Sequence, residues 1–131
     1  MRKNISEPIV TPLPVFIIAT YDENGKPNAM NAAWAGQVGP KHVGLSLSPH
    51  TTTENLKKQK AFTVSFATKA QAAACDYVGM VSQAKEPDKL KKAGFTTVKS
   101  ENVNAPIIEQ LPVAIECKVL SIAEELNETR V

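Results

Sequence analysis

The chain has 131 residues, of which 43% are hydrophobic and 21% are charged, and 15 basic and 13 acidic residues give a formal net charge of +2. This length and composition predict one globular domain over residues 1–131 and exclude a disordered chain. The balanced charge does not predict nucleic acid or an acidic membrane as a partner, and no apolar segment is as long as a membrane span.

The first predicted element is a strand over Val15–Tyr21, which follows a Pro-rich and therefore extended arm over residues 1–14. Its nearly continuous apolar run predicts burial on both faces, which favours a closed barrel over an open sheet with one wet face. Asn24-Gly25 is typical of a tight reversal between antiparallel strands. We therefore expect a hairpin whose return strand covers Asn28–Asn31.

Small side chains follow this return strand, and the only Trp of the chain stands among them. Such a row lets a flat ligand approach backbone N–H and C=O groups, and an indole beside it offers an apolar wall. The stretch indicates a shelf for a planar heterocycle. The alternative is a packing seam with the Trp as a core anchor. The residues concerned are Asn31, Ala32, Ala33, Trp34, Ala35 and Gly36.

The next elements are a turn over Val38–Lys41 and a strand over His42–Ser48, in which apolar residues alternate with Gly and Ser. Pro49 ends this strand. The spacing Thr51-x-x-Glu54 matches a capping box and predicts a helix that ends near Lys60.

Three consecutive threonines, Thr51, Thr52 and Thr53, stand at the start of this helix. Unpaired N–H groups and the helix dipole favour an anion such as a phosphate there, and His50 could add a hydrogen bond. The alternative is ordinary capping, with His50 a solvated loop residue. A flat ring together with a phosphate is what flavin mononucleotide, FMN, presents.

The remaining pattern predicts several more strands and two short helices, and therefore a mainly β protein, a β-barrel with short helices rather than a doubly wound sheet. The predicted elements are a strand over Ala61–Ala67, helices over Gln71–Met80 and from Glu86 to Gly94, strand-like segments over Phe95–Val103, Ile107–Leu111 and Pro112–Ala123, and a turn over Glu124–Arg130.

Few other arrangements suggest chemistry. His42 and His50 have no Cys or acidic cluster at ligand spacing, so we expect no metal site. Dinucleotide, Walker and nucleophile-elbow motifs are absent, and we assign no catalytic residue. The polar start has no signal-peptide pattern, which predicts a cytoplasmic protein with reduced thiols at Cys75 and Cys117.

Ser82 and Lys89 form the last candidate element. Lys89 lies among Lys85, Lys91 and Lys92, so a solvated basic helix face is the simpler interpretation of the spacing. One of the four lysines could still point inward.

Four stretches together resemble the flavin reductase-like family and, within it, the flavoredoxins. The resemblance extends from about Pro12 to Val119. It implies an FMN-binding split barrel of Greek-key type, usually a homodimer with noncovalent FMN near the subunit interface. It also implies that NADH or NADPH reduces the flavin, which then passes electrons to an acceptor such as a redox protein. The matching stretches are Pro14–Trp34, Leu45–Leu56, Phe62–Phe66 and Asp76–Ser82, with Lys89 in addition.

The resemblance further implies a cofactor site. The stretch 28–33 would lie against the isoalloxazine with backbone N–H groups toward its N5 and O4 edge, and Trp34 would border the ring or the ribityl chain. Residues 48–53 would hold the ribityl and phosphate groups, and Lys89 would contact the phosphate. The implied cofactor-binding residues are Asn28, Ala29, Met30, Asn31, Ala32, Ala33, Trp34, Ser48, Pro49, His50, Thr51, Thr52, Thr53, Ser82 and Lys89.

The sequence departs from the family in three places. Ser82-Gln83 replaces a Ser-Gly pair, and Pro49-His50 replaces basic residues, which implies a reorganised phosphate contact. Family members continue past the position of Val131, so the resemblance implies a domain that lacks the usual C-terminal part and has an open barrel edge. Two alternatives to an oxidoreductase remain: an FMN-binding electron carrier without NAD(P)H oxidase activity, and a structural dimer without a competent site.

Overall fold

A computed structural model of the chain describes residues 12–125 and 128–131. Within these residues the chain forms strands, three α-helices and one 3₁₀ turn. In chain order they are β1 Phe16–Tyr21, β2 Pro27–Ala32, β3 Ala35–Gly39, β4 His42–Leu47, α1 Thr51–Gln59, β5 Ala61–Phe66, the 3₁₀ turn Lys69–Gln71, α2 Ala72–Met80, α3 Lys89–Lys92, β6 Thr97–Lys99, β7 Pro106–Ile108, β8 Ala114–Lys118, β9 Ala123–Glu125 and β10 Glu128–Arg130.

The predicted first hairpin is present. β1 and β2 pair antiparallel along their whole length. Gly25 has a φ of +76°, a positive angle that glycine adopts without strain. The carboxylate of Asp22 accepts the backbone N–H groups of Asn24 and Lys26, both at 2.8 Å. These local contacts fix the register in which β2 returns along β1.

β1 lies inside a four-stranded antiparallel sheet of order β2-β1-β5-β8. Phe16 and Ile18 point from it into one core, and Ile17 and Ala19 point into another on the opposite face. The prediction that this strand is buried on both faces is confirmed. β2 forms one border of the sheet, and its other side is open to helices and loops.

A second four-stranded sheet has the order β3-β4-β10-β9, and β6 and β7 form a separate two-stranded sheet. The first core lies between the two large sheets, where Leu45 and Leu47 of β4 meet Val64 of β5 and Leu56 of α1. No ladder among the described strands joins the two large sheets into a closed barrel. The architecture is therefore mainly β with short helices, as predicted, and its sheets are split.

Helices α2 and α3 cover the other face of the first sheet. Cys75 and Val78 of α2 and Leu90 of α3 pack there against Ile17 and Ala29. In the described part of the chain, the longest helices, α1 and α2, have nine residues each, and no helix there has the length and apolarity to cross a membrane.

The structure corrects the predicted capping box. His50, not Thr51, is the N-cap residue of α1, and its side chain makes no capping hydrogen bond. The hydroxyl of Thr53 instead donates to the backbone oxygen of Ser48 at 2.8 Å, and Glu54 pairs with Lys57 at 3.0 Å. The helix starts where the sequence predicts, and the N–H groups of Thr51, Thr52 and Thr53 have no hydrogen-bond partner among the described residues.

The later elements are shorter than predicted. The helix predicted from Glu86 covers only Lys89–Lys92, with Asp88 as its N-cap. Of Phe95–Val103, only three residues are in β6, and the strand predicted over Pro112–Ala123 ends at Lys118. One residue beyond this end, the backbone N–H of Val119 donates to the oxygen of Lys60 at 2.9 Å, in the same register as the β5–β8 pairing.

Two further stretches form strands where turns or loops were predicted. The small-residue stretch continues into β3, which begins at Ala35 and extends into the turn predicted over residues 38–41. The terminal turn predicted over residues 124–130 is instead part of an antiparallel pair, β9 and β10. β10 also pairs with β4, so the end of the chain completes the second sheet.

Candidate functional site

A small cavity of about 110 Å³ lies where β2, the start of α1 and the end of α2 meet. Eight of the residues around it belong to the predicted cofactor site: Asn28, Met30, Asn31, His50, Thr51, Thr52, Ser82 and Lys89. Segments that are far apart in sequence are thus brought together. Four residues that sequence reasoning did not assign also line the cavity: Gly79, Met80, Val81 and Gln83.

The border strand β2 directs backbone groups toward this cavity. The side-chain Nε2 of Gln83 donates to the backbone oxygen of Pro27 at 3.2 Å. On the other side of the hairpin, the backbone N–H of Asp22 donates to the oxygen of Lys26 at 2.9 Å. Successive residues of an antiparallel strand point their polar groups to alternate sides. Pro27 thus faces away from β1, and Lys26 faces toward it.

The same alternation continues along β2. Asn28 and Met30 bond to β1, whereas the N–H and C=O groups of Ala29 and Asn31 face the free side of the strand. No backbone hydrogen bond joins Ala29 or Asn31 on that side to another described residue. The free side of β2 therefore presents paired donors and acceptors at the spacing of a strand, next to the cavity.

Asn28 and Thr52 are the most deeply buried polar residues of the cavity, each with 1% of its surface exposed. The Nδ2 of Asn28 donates to the hydroxyl oxygen of Thr52 at 2.8 Å. The Oδ1 of Asn28 has no hydrogen-bond partner among the described residues, and neither has the Oδ1 of Asn31. An unpaired buried acceptor costs about 1–3 kcal/mol. Both atoms therefore require a donor from outside the described residues, such as a ligand or water.

The start of α1 presents hydrogen-bond donors and positive charge to the cavity, whereas Asn28 and Asn31 present acceptors. The N–H groups of the first turn, which includes Thr51 and Thr52, have no partner within the helix. The helix dipole adds partial positive charge at this end. Thr51 and Thr52 line the cavity, but Thr53 is fully buried behind them and does not. This side of the cavity is suited to an anionic group.

Lys89 is the lysine of its segment that points inward. It is 3% exposed, and its Nζ donates to the backbone oxygens of Val78 at 2.9 Å and Val81 at 2.8 Å. Burial lowers the pKa of Lys89 to about 8. The interpretation as a solvated basic face is wrong for this residue, although Lys91 and Lys92 are exposed. An ammonium group has three donors, so one remains for a ligand in the cavity.

The other predicted residues lie elsewhere. Trp34 is 68% exposed, so the alternative in which it anchors a core is wrong. It lines a separate surface depression together with Leu13 and Val38. The remaining predicted residues outside the cavity are Ala29 and Ala32, whose side chains are in the two cores, and Ala33, Ser48 and Pro49, which are exposed.

Of the wall formed by residues 79–83, sequence reasoning assigned only Ser82, although one further signal was available. Gly79 interrupts an Ala-rich helix, and an isolated glycine in a helix often marks a close approach. A Cβ at this position would overlap the side chain of Asn31. The absence of a side chain thus allows α2 to approach β2 and to close the cavity.

A larger cleft of about 680 Å³ lies between β4 and the end of β8. Phe62, Ile115 and Val119 contribute apolar surface to it. None of the predicted site residues lines it, and none of the unpartnered buried side-chain atoms in the described residues belongs to it. Size alone therefore does not identify the site, and the unpaired polar groups favour the smaller cavity.

Comparison with known proteins agrees with this architecture. A family model described as "Flavin reductase like domain" matches residues 10–129. An uncharacterised protein of Archaeoglobus fulgidus is 30% identical over 121 residues, which cover 90% of this chain and 67% of that protein. Against relatives from Aeropyrum pernix and Pyrococcus abyssi, the match spans 42% and 64% of their length.

Two solved structures show the same fold. The flavoredoxin of Desulfovibrio vulgaris (Miyazaki F) superposes with a TM-score of 0.86 at 32% identity, over 99% of this chain and 72% of that protein. An FMN-binding domain of a flavin reductase-like enzyme from Shewanella baltica gives a TM-score of 0.74 at 20% identity, over 89% of this chain and 64% of the other. At the latter identity, the similarity concerns the fold alone.

Proposed function

The chain belongs to the flavin reductase-like domain family, and from this premise we propose that it is a flavoprotein oxidoreductase that binds FMN noncovalently. The observation that supports this most directly is the cavity beside β2. It combines a helix N-terminus and a buried lysine with backbone donors and buried acceptors that have no partner in the part of the chain that the structure describes. A phosphorylated flavin has groups that complement each of these features.

The residues present fit such a cofactor. The free N–H groups of Ala29 and Asn31 would donate to acceptor atoms on the isoalloxazine edge. The first turn of α1 and the ammonium of Lys89 would hold the phosphate. When bound, FMN supplies the hydride and electron chemistry. Backbone donors fixed in a strand favour the negative charge that develops on reduction, because they need no reorganisation.

The proposed reductant is NADH or NADPH, and the proposed acceptor is a small molecule or a redox protein. Nothing in this scheme requires an acid–base side chain, because the flavin itself carries the transferred hydrogen. The residues of the chain position the cofactor and set its electrostatic surroundings. We also propose that the protein is cytoplasmic and that it forms a homodimer. Size-exclusion chromatography with light scattering would test the oligomeric state.

An absorbance spectrum of the purified protein tests the cofactor. We expect flavin bands in the protein as isolated or after addition of FMN and removal of the excess. A preparation that stays colourless and does not retain added FMN would refute the proposed function.

Anaerobic reduction then tests the activity. We expect the flavin bands to bleach on addition of NADH or NADPH. Bleaching by dithionite alone, with no response to either nicotinamide, would instead assign the chain as an electron carrier that holds FMN. A quantitative comparison with free FMN at the same concentration controls for direct reduction in solution.

A further inference from the structure

We propose that a second copy of this chain pairs with the outer edge of β8, antiparallel and about a twofold axis at Cys117, so that the four-stranded sheets of the two copies form one continuous sheet. This inference gives the homodimer of the proposed function an interface, and it rests on that function in this respect alone. β8 forms the border of its sheet opposite to β2 and the candidate cofactor cavity. The contact can therefore be tested without a flavin.

The outer edge of β8 offers backbone groups to a further strand. The N–H of Val119 donates to the oxygen of Lys60 on the β5 side. Because the polar groups of an antiparallel strand alternate in direction, those of Ala114, Glu116 and Lys118 point away from β5. No backbone hydrogen bond joins them on that side to another described residue. The edge is also open, since most of β8 lines the large cleft.

Among the outer strands of the two large sheets in the described chain, β8 is the least protected. β2 is contacted by Gln83 from the segment that follows α2. β3 changes register between Gln37 and Gly39, and β9 has only three residues, of which two are Glu. β8 pairs regularly with β5 over five residues and carries the exposed Ile115. A regular and partly apolar edge of this kind favours pairing with another chain.

The charges on one face of β8 select the register. The carboxylate of Glu116 is held there by two N–H groups of the loop between β6 and β7, and the exposed Lys118 follows on the same face. With the twofold axis at Cys117, Glu116 lies opposite Lys118 of the second copy, and the symmetry repeats this pair. Opposite charges in facing positions stabilise a sheet, and like charges destabilise it. An axis at Glu116 would instead place two carboxylates opposite each other.

The other face of β8 matches in the same register. Ile115 lies opposite Val119 of the second copy, so apolar side chains that line the cleft meet each other. Cys117 lies opposite its own counterpart, in a pair without mutual hydrogen bonds whose Cα atoms are about 4.5 Å apart. This distance is within the range that a disulfide spans. Because each copy contributes the same edge, the contact closes at two copies and does not extend into a filament.

Charge reversal provides the first test, with the dimer dissociation constant measured by analytical ultracentrifugation. We expect a dimeric wild type, and we expect Lys118→Glu and Glu116→Lys each to raise the dissociation constant at least about 10-fold, because like charges then face each other. An equimolar mixture of the two variants should dimerise as the wild type does, since opposite charges face again. Lys41→Glu, at an exposed lysine elsewhere on the cleft, is the control. A monomeric wild type, or equal effects at Lys41 and Lys118, would overturn the inference.

Oxidation with copper phenanthroline keeps the test decisive if a charge variant does not fold. We expect a disulfide-linked dimer on a non-reducing gel from the wild type and from Cys75→Ala, whose thiol is buried in α2, but not from Cys117→Ser. A dimeric protein that gives no cross-link through Cys117 would have a different interface, which would overturn the inference. Absorbance of the same samples with added FMN tests the proposed function separately. A cross-linked dimer that retains no FMN would refute the cofactor and leave this interface in place.

Discussion

Lys89 is an unusual residue, because it is a buried cation whose described hydrogen-bond partners are neutral carbonyls. These carbonyls, of Val78 and Val81, lie at the C-terminal end of α2, where the helix dipole is negative. The contacts hold the end of α2 and the following segment against the cavity. Burial nevertheless disfavours the charged form of Lys89 and lowers its pKa.

Because of this pKa, the stability of the protein changes with pH in the alkaline range. Lys89 has a pKa of about 8 in the fold against 10.5 without burial, so the unfolded chain binds more protons between these values. We therefore expect the free energy of unfolding to gain a contribution from Lys89 as the pH rises from 8 to 10.5, with the full penalty present below 8. Urea unfolding of the protein without flavin, at several pH values, measures it.

The variant Lys89→Met isolates this contribution. Its unfolding free energy should rise less steeply with pH than that of the wild type over this interval. Lys91→Met, at an exposed lysine of the same helix, is the matched control. Parallel curves for the wild type and Lys89→Met would contradict the prediction.

Trp34 is a predicted site residue that the structure places outside the cavity. Its indole is exposed in a depression outside the cavity, yet the resemblance places it beside the flavin. We predict that Trp34→Ala weakens FMN binding by about 10-fold, because an aromatic wall is lost. Titration with FMN measures this, and Val38→Ala in the same depression is the control. Unchanged affinity would favour a structural role for this surface.

At the scale of elements, local patterns predicted what local contacts determine. The first hairpin follows from Asn24-Gly25 and the carboxylate of Asp22, and the strand predicted over residues 61–67 is present as β5, which is buried on both faces. The late strands were predicted poorly because alternation does not tell where a chain changes sheet. Val119 continues the alternation of β8, and its N–H still bonds to Lys60 in the register of the β5–β8 pairing, so the pattern does not mark the end of the strand at Lys118.

Glu116 on β8 connects this strand to the loop between β6 and β7. Its carboxylate accepts the backbone N–H of Glu101 at 3.2 Å and that of Asn102 at 2.7 Å. The hydrogen bond from Asn102 lowers the pKa of Glu116 below its usual 4.5. The stabilisation of the loop is therefore present above that value and is lost as the pH falls through the lower, folded value.

We predict that the amide proton resonance of Asn102 shifts with a midpoint below 4.5, the usual pKa of this carboxyl group. An NMR titration of the backbone amides from about neutral pH downward measures this. In Glu116→Gln the same resonance should lose that transition, because the charged acceptor is gone. A midpoint at or above the usual value would show that the two amides do not stabilise the carboxylate.

At the scale of the whole molecule, one core connects both large sheets. Ile18 is fully buried in this core, together with residues of β4, β5 and α1. We predict that Ile18→Ala lowers the free energy of unfolding by about 2–5 kcal/mol, because it leaves a cavity between the sheets. Ile115→Ala, at a side chain that is 42% exposed, should cost much less. Chemical denaturation compares the two, and equal losses would contradict the shared core.

The candidate site was predictable from the sequence in part. Residues whose type and spacing indicate a binding role, such as the threonines at the start of α1, could be identified from the sequence. Eight of the predicted residues lie around one cavity. The choice of the inward lysine needed the fold, since Lys89 and Lys91 have similar local sequence. The contact of Gln83 with Pro27 joins residues 56 positions apart, which no local pattern reports.

Gly79 determines how much variation this cavity can accept. A hydrogen takes the place of Cβ at this position and leaves the space that the Asn31 amide fills, so even a methyl group would overlap that amide and displace it. In a library that randomises this codon, variants that keep the wall intact should therefore retain the wild-type residue. The position in this wall that tolerates the least substitution is therefore a glycine, which has no side chain to contact a ligand.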